Sequence, residues 1–184
     1  QHDTDQTSRH KHVAHLLEPF GVNVGYHDPF ADVPGYTRLE LDDLMGWADV
    51  ITLHCPKTEN GAPLLDLGRL SLMRPGSIIL NIARGGLIDE KALLGLLTAG
   101  HLAGAALDCF TKEPYDGPLK EMDNVILTPH IGSYAKEARI IMETDTIKNL
   151  AAPAGRTVVN LIQPAEVKAT VVTGLERLRL RDAP

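Results

Sequence analysis

Apolar and polar positions alternate along this chain in two kinds of run. Continuous apolar runs at residues 22–27, 50–55, 78–82, 103–109 and 125–128 read as strands buried on both faces. Between them, apolar positions recur at helical spacing over residues 39–45, 64–72, 90–98 and 135–150. An earlier helix starts near Ser8, places Val13, Leu16 and Leu17 on one face and stops at Pro19-Phe20-Gly21. Turn signals separate the runs: Pro34-Gly35, Arg74-Pro75-Gly76 and Gly100. Strand and helix alternate repeatedly, and the strands do not alternate apolar with polar. That combination predicts an α/β fold, a doubly wound parallel sheet with helices on both faces. No solenoid-type repeat is present.

The pattern occupies residues 1–150, which read as one domain. Residues 151–184 read as a tail: a loop and a short extended piece, then a charged end from residue 175 expected to fray. The net charge of −6 and the lack of a basic cluster argue against nucleic-acid binding. No apolar run approaches the ~20 residues of a membrane span, and the polar start QHDTDQTSRHKH has no secretory core. His2, His10 and His12 lie in that start without a cysteine or carboxylate framework, so no metal site is expected. Cys55 and Cys109 stand at the ends of apolar runs without metal spacing. They are expected to be buried thiols in a reducing cytoplasm. The 135–150 helix has its glutamates early and Lys148 late, which suits its dipole.

The polar residues that interrupt the pattern fall at the carboxyl ends of strands, where open α/β sheets bind ligands. Asp28 follows the first strand, His54 and Thr58 the second, Arg84 the third, Asp108 and Glu113 the fourth, and His130 the fifth. The stretch SIILNIARGGLIDE shows the device: a buried strand, a turn with Gly85 and Gly86, a cation, and Asp89 as N-cap of the next helix. A histidine exchanges protons near neutral pH. A neighbouring carboxylate orients it, and an arginine fork binds a carboxylate and polarises a carbonyl beside it. Arg84, Glu113 and His130 therefore supply what hydride transfer between a 2-hydroxy acid and a 2-keto acid requires. Asp28, with no arginine after it, suits the ribose hydroxyls of NAD. A thiol hydrolase using Cys55 and His54 is disfavoured, because adjacent strand residues face opposite ways.

Four segments resemble the D-2-hydroxyacid dehydrogenase family: LHCPKTENG, LMRPGSIILNIARGGLIDEKAL, GAALDCFTKEP and NVILTPHIGSYAKEAR. They cover most of residues 13–150 in the family's order, and the HIGSYAKEAR run leans toward its phosphoglycerate branch. The resemblance implies a Rossmann-like NAD-binding domain and a cytoplasmic enzyme acting on a small 2-hydroxy or 2-keto acid. It makes Arg84 the carboxylate-binding residue, His130 the acid/base and Glu113 its partner. It places NAD along Asp28, His54, Cys55, Pro56, Thr58, Ile82, Ala83, Arg84, Asp108, His130 and Gly132, with Asp28 at the adenosine ribose and Asp108 at the nicotinamide. It also implies a homodimer paired through the 135–150 helix and the 110–125 loop.

Two departures accompany the resemblance. The family's first strand and glycine-rich turn are lacking, and Asp5, Thr7 and His10 stand where its three glycines belong. The family's substrate domain is expected to be lacking too, with residues 151–184 read as its remnant. The alternative reading is therefore a truncated, non-catalytic nucleotide-binding or assembly module.

Overall fold

The computed structural model describes residues 6–30, 32–132, 134–137, 139–140, 143–144 and 171–173. Seven strands form one sheet: β1 (Gly25–His27), β2 (Thr37–Arg38), β3 (Val50–Leu53), β4 (Ile78–Asn81), β5 (Gly104–Leu107), β6 (Val125–Leu127) and β7 (Val171–Thr173). Their spatial order is β2-β1-β7-β3-β4-β5-β6. The pairs β1–β2, β3–β4, β4–β5 and β5–β6 are parallel, as the continuous apolar runs predict.

The exception is β7, which lies between β1 and β3 and runs antiparallel to both, with Val172 opposite Tyr26 and Thr52. The sheet is thus parallel except at its middle. The place between β1 and β3 is held by residues 171–173. Sequence pattern did not reveal this, because pairing between segments so far apart in the chain leaves no local signal. The two-residue strand β2 and the helical turns Glu18–Phe20 and Pro118–Glu121 are also additions to the sequence reading.

Within residues 6–132 the sheet is accompanied by the helices α1 (Gln6–Leu17), α2 (Leu41–Trp47), α3 (Leu67–Leu72) and α4 (Glu90–Thr98). α1 starts two residues before the expected Ser8. Asp66 caps α3 by accepting the Arg69 N–H, and Asp89 caps α4 by accepting those of Lys91 and Ala92. α2 packs on α3, and α3 on α4. The core runs between these helices and the sheet, with Leu44, Met45, Ile51, Leu53, Leu70, Ile79, Leu93 and Leu102 fully buried. Each such side chain contributes about 1.5–3 kcal/mol through burial. The expected helix 135–150 is helical at residues 136–137, 139–140 and 143–144, and its remainder lies outside the described residues. So do the tail's loop and frayed end, and Asp5; of Thr7 and His10 only the helical backbone is described.

Leu65 joins the loop before α3 to the segment after β4: its N–H donates to the Leu87 carbonyl at 2.9 Å, and its own carbonyl accepts from Asp89 at 3.0 Å. This strap leaves the β4–α4 turn little freedom. The carboxyl ends of the parallel strands β3, β4, β5 and β6 form one edge, and His54, Arg84, Asp108 and His130 follow them there.

Candidate active site

Three of the predicted residues meet at this edge through backbone design. β5 ends at Leu107, and Asp108 follows it, 7% exposed. A buried carboxylate needs several donors, and Asp108 has three. Oδ1 accepts the Thr128 hydroxyl at 2.5 Å and the Ile131 N–H at 2.9 Å, and Oδ2 accepts the Gly132 N–H at 3.0 Å. Burial pushes its carboxyl up, but the Thr128 hydroxyl and the two amides outweigh this and hold it below the usual carboxylate range. Asp108 thereby closes residues 128–132 into a loop on the end of β5.

His130 lies at the tip of that loop with φ +54°. A left-handed conformation at a non-glycine residue costs of order 1 kcal/mol or more and persists only where its surroundings enforce it. Here the His130 N–H donates to the Thr128 carbonyl at 3.0 Å, and the next two amides are held by Asp108. The strain turns the imidazole toward Glu113, whose Oε2 lies 2.9 Å and Oε1 3.2 Å from Nδ1. A carboxylate only accepts, so Nδ1 carries a proton and donates it. Nε2 is left as the exchanging nitrogen. Glu113 is itself fixed by the Phe110 N–H, 3.0 Å from Oε1. The hydrogen bond from His130, then that from Phe110, hold the Glu113 carboxyl below its usual range, so it remains an acceptor throughout the neutral region.

Arg84 stands on the turn after β4. Among the described residues no carboxylate pairs with it, and its Nη1 donates to the Ala83 carbonyl at 2.7 Å. Its charge reaches the same buried thiol that feels Asp108 and Glu113. Burial first, then those carboxylates, push Cys109 up to about 11, while Arg84 and Lys57 oppose them. Arg84 thus follows β4, and Glu113 and His130 follow the two neighbouring parallel strands β5 and β6 at the same edge of the sheet.

The remaining predicted residues spread along the same edge. Asp28 is buried after β1, with Oδ1 accepting the Phe30 N–H at 2.8 Å. It lies two strand positions from β3 and does not join the acid–base pair. His54 Nε2 lies 3.1 Å from the Thr52 hydroxyl. Cys55 and Cys109 are buried, as expected, so neither offers a ligand an exposed thiol. The Thr58 hydroxyl donates to the Ala62 carbonyl and so has only lone pairs left for a ligand. Ile82 projects 55% exposed beside Ala83, an apolar surface at the strand end. Among the described residues no cluster of metal-binding side chains occurs, and no helix is long and apolar enough to cross a membrane.

Sequence reasoning named Gly132 but missed Asn81, Thr128 and the amides of Phe110 and Ile131 as members of the site. Asn81 carried a usable signal: a polar residue closing a buried strand, two before a small residue, is the pattern of an Asx turn. Its Oδ1 accepts the Ala83 N–H at 3.1 Å. The amides carry no sequence signal.

Along the edge from β1 to β6 stand a buried carboxylate after β1, a cation after β4 and a carboxylate–imidazole pair after β5 and β6. The described residues include no glycine-rich turn for the pyrophosphate between them. Comparison with known proteins agrees with this geometry. The family model described as D-isomer specific 2-hydroxyacid dehydrogenase, NAD binding domain, matches residues 10–132. The D-3-phosphoglycerate dehydrogenase of Synechocystis is 41% identical over 145 residues, covering 76% of this chain and 26% of that protein. A Thermus thermophilus protein of known structure superposes with a TM-score of 0.73 at 40% identity, over 76% of this chain and 45% of that one. The NADPH-dependent glyoxylate/hydroxypyruvate reductase of Sinorhizobium meliloti, solved with NADP and malonate, superposes at 0.71 with 32% identity, over 75% of this chain and 44% of its own. The chain thus spans about a quarter of its curated relative, and the family model covers the strand ends from β1 to β6. By this match and this geometry, the chain belongs to the D-isomer specific 2-hydroxyacid dehydrogenase family and carries its NAD-binding domain.

Proposed function

We propose that this domain serves NAD-dependent interconversion of a 2-hydroxy acid and its 2-keto acid. The observation that carries the reading is the pair His130–Glu113, with Nε2 left to exchange a proton, beside a cation without a carboxylate partner among the described residues. Arg84 binds the substrate carboxylate and turns the C2 oxygen toward His130. Nε2 takes the hydroxyl proton on oxidation and returns it on reduction, while Glu113 keeps the proton on Nδ1 and balances the imidazolium. NAD, when bound, supplies the hydride acceptor. Asp28 suits its adenosine ribose. His54, Cys55, Pro56 and Thr58 line its path, followed by Ile82 and Ala83, and Asp108 and Gly132 stand at the nicotinamide end.

The finer reading is a cytoplasmic enzyme of the phosphoglycerate branch acting as a homodimer. An open cleft of about 400 Å³ flanks the edge strand β6, lined by Phe110, Pro114, Tyr115, Leu127 and Pro129 together with Glu113, Lys120 and Thr128. On that strand Ile126 is 68% exposed. A second copy would cover this apolar edge, and a mass of one chain in size-exclusion chromatography with light scattering would refute it.

A second reading, a non-catalytic nucleotide-binding or assembly module, is favoured by the antiparallel strand β7 at the sheet centre. One experiment separates the two. NADH oxidation is followed with hydroxypyruvate, 2-oxoglutarate or 3-phosphohydroxypyruvate, against His130→Ala. Turnover lost in His130→Ala is expected; turnover no higher than that of the variant leaves the second reading.

A further inference from the structure

Asn81 closes β4 and is 2% exposed. Its polar groups bond in two directions. Toward the turn, Oδ1 accepts the Ala83 N–H at 3.1 Å and Nδ2 donates to the Arg84 carbonyl at 2.9 Å. Those two bonds grip the peptide groups before Ala83 and after Arg84. The peptide between them carries the Ala83 carbonyl, and that carbonyl accepts Arg84 Nη1 at 2.7 Å. The direction of the guanidinium therefore rests on a peptide clamped from both sides by one amide side chain.

Toward β5, the Asn81 carbonyl accepts the Asp108 N–H at 3.0 Å, and the Cys109 thiol lies 3.6 Å from both Asn81 oxygens. Asp108 is the residue that holds the His130 loop. One residue thus stands between the cation on one strand end and the acid–base pair on the next two. Filling the polar groups of a strand end needs only one or two such bonds; this arrangement also sets an angle.

We infer that Asn81 is a positioning residue, aiming the Arg84 guanidinium at the substrate carboxylate and keying it to the Asp108 end of the site. The inference rests on the proposed role of Arg84. It predicts that affinity for a small carboxylate depends on the donor at position 81, and more strongly than stability does.

The test uses the full chain, with oxalate as an unreactive carboxylate probe titrated by NMR. Arg84→Gln is expected to weaken binding at least tenfold. Asn81→Ala removes both clamping bonds, and about a five- to tenfold loss is expected, the scale of one charge-directing hydrogen bond. Asn81→Asp keeps the acceptor for Ala83 but donates to the Arg84 carbonyl only when protonated. Its affinity, corrected for the ionisation of oxalate, should recover as the pH is lowered, while that of Asn81→Ala should not.

Unchanged oxalate affinity in Asn81→Ala, or equal weakness of Asn81→Asp at every pH, would overturn the inference. So would failure of both variants to fold, which would assign Asn81 to the fold alone. Arg84→Gln binding like the wild type would instead overturn the role of Arg84, and no saturable binding by the wild type would overturn both.

Discussion

Gly85→Ala is the substitution whose cost this structure specifies most directly. A Cβ built on Gly85 falls 1.7 Å from the Phe110 carbonyl oxygen and 2.2 Å from its carbonyl carbon, whereas real Cβ contacts essentially never come under 3.0 Å. Alanine therefore requires two backbones to part by about 1.3 Å, since opening 1.7 Å to 3.0 Å takes that much. Neither side can yield by a rotamer change, because the obstacle is main chain. One side is strapped by the Leu65 bonds to Leu87 and Asp89, and the other carries the Phe110 N–H that holds Glu113. Overpacking of this kind costs about 3 kcal/mol, the upper end of the usual range. For a domain of this size that lowers the melting temperature by roughly 10 °C.

Gly86→Ala is the matched control. Gly86 has φ +83° and nothing nearer to its built Cβ than the Thr111 hydroxyl at 4.0 Å. Its cost is the left-handed backbone alone, roughly 1 kcal/mol or a few degrees. Thermal unfolding of the two variants beside the wild type decides the matter. If Gly85→Ala melts no lower than Gly86→Ala, the close approach of the two strand ends does not exist and the rigid link between Arg84 and Glu113 goes with it.

Two further predictions concern the groups behind the site. Asp108 has a lowered folded-state value, so its stabilisation is fully present above the ordinary carboxyl range near ~4 and is lost as the pH falls through the lower folded value. Asp108→Asn should cost about 2–3 kcal/mol at pH 7 and flatten the loss of stability below pH ~4; urea titrations at neutral and acid pH would show it, and an unchanged acid limb would refute it. Tyr26 is buried, donates to Asp32 at 2.8 Å and accepts the Val33 N–H at 2.8 Å, so Tyr26→Phe strands a buried amide and should cost about 1–3 kcal/mol in the same assay.

The alternation of apolar runs and helical spacing determined most of this fold by itself. A strand buried on both faces must be apolar throughout, and a helix over it must repeat its apolar stripe every turn. The pattern placed the five strand ends to within two residues: it ran to 27, 55, 82, 109 and 128, where the strands end at His27, Leu53, Asn81, Leu107 and Leu127, with Asp28, Arg84, Asp108, Glu113 and His130 beyond them. The cap at Asp89 was legible because it bonds residues only two and three places away, whereas the sequence reading did not name the Asp66 cap.

Tertiary structure alone decided three things. It set β7 antiparallel into the sheet centre, a pairing between segments so far apart in the chain that Val171–Thr173 carries no local signal of it. It brought Asn81 into the site, because the Asp108 amide that its carbonyl accepts lies on another strand end. And it bent His130 into a left-handed conformation, a strain that the composition of LTPHIGS does not require and that Asp108, twenty-odd residues away in sequence, enforces with its carboxylate. Local rules govern what neighbouring residues do to each other. The orientation of the imidazole and the guanidinium belongs to contacts between strand ends, and those exist only once the sheet has formed.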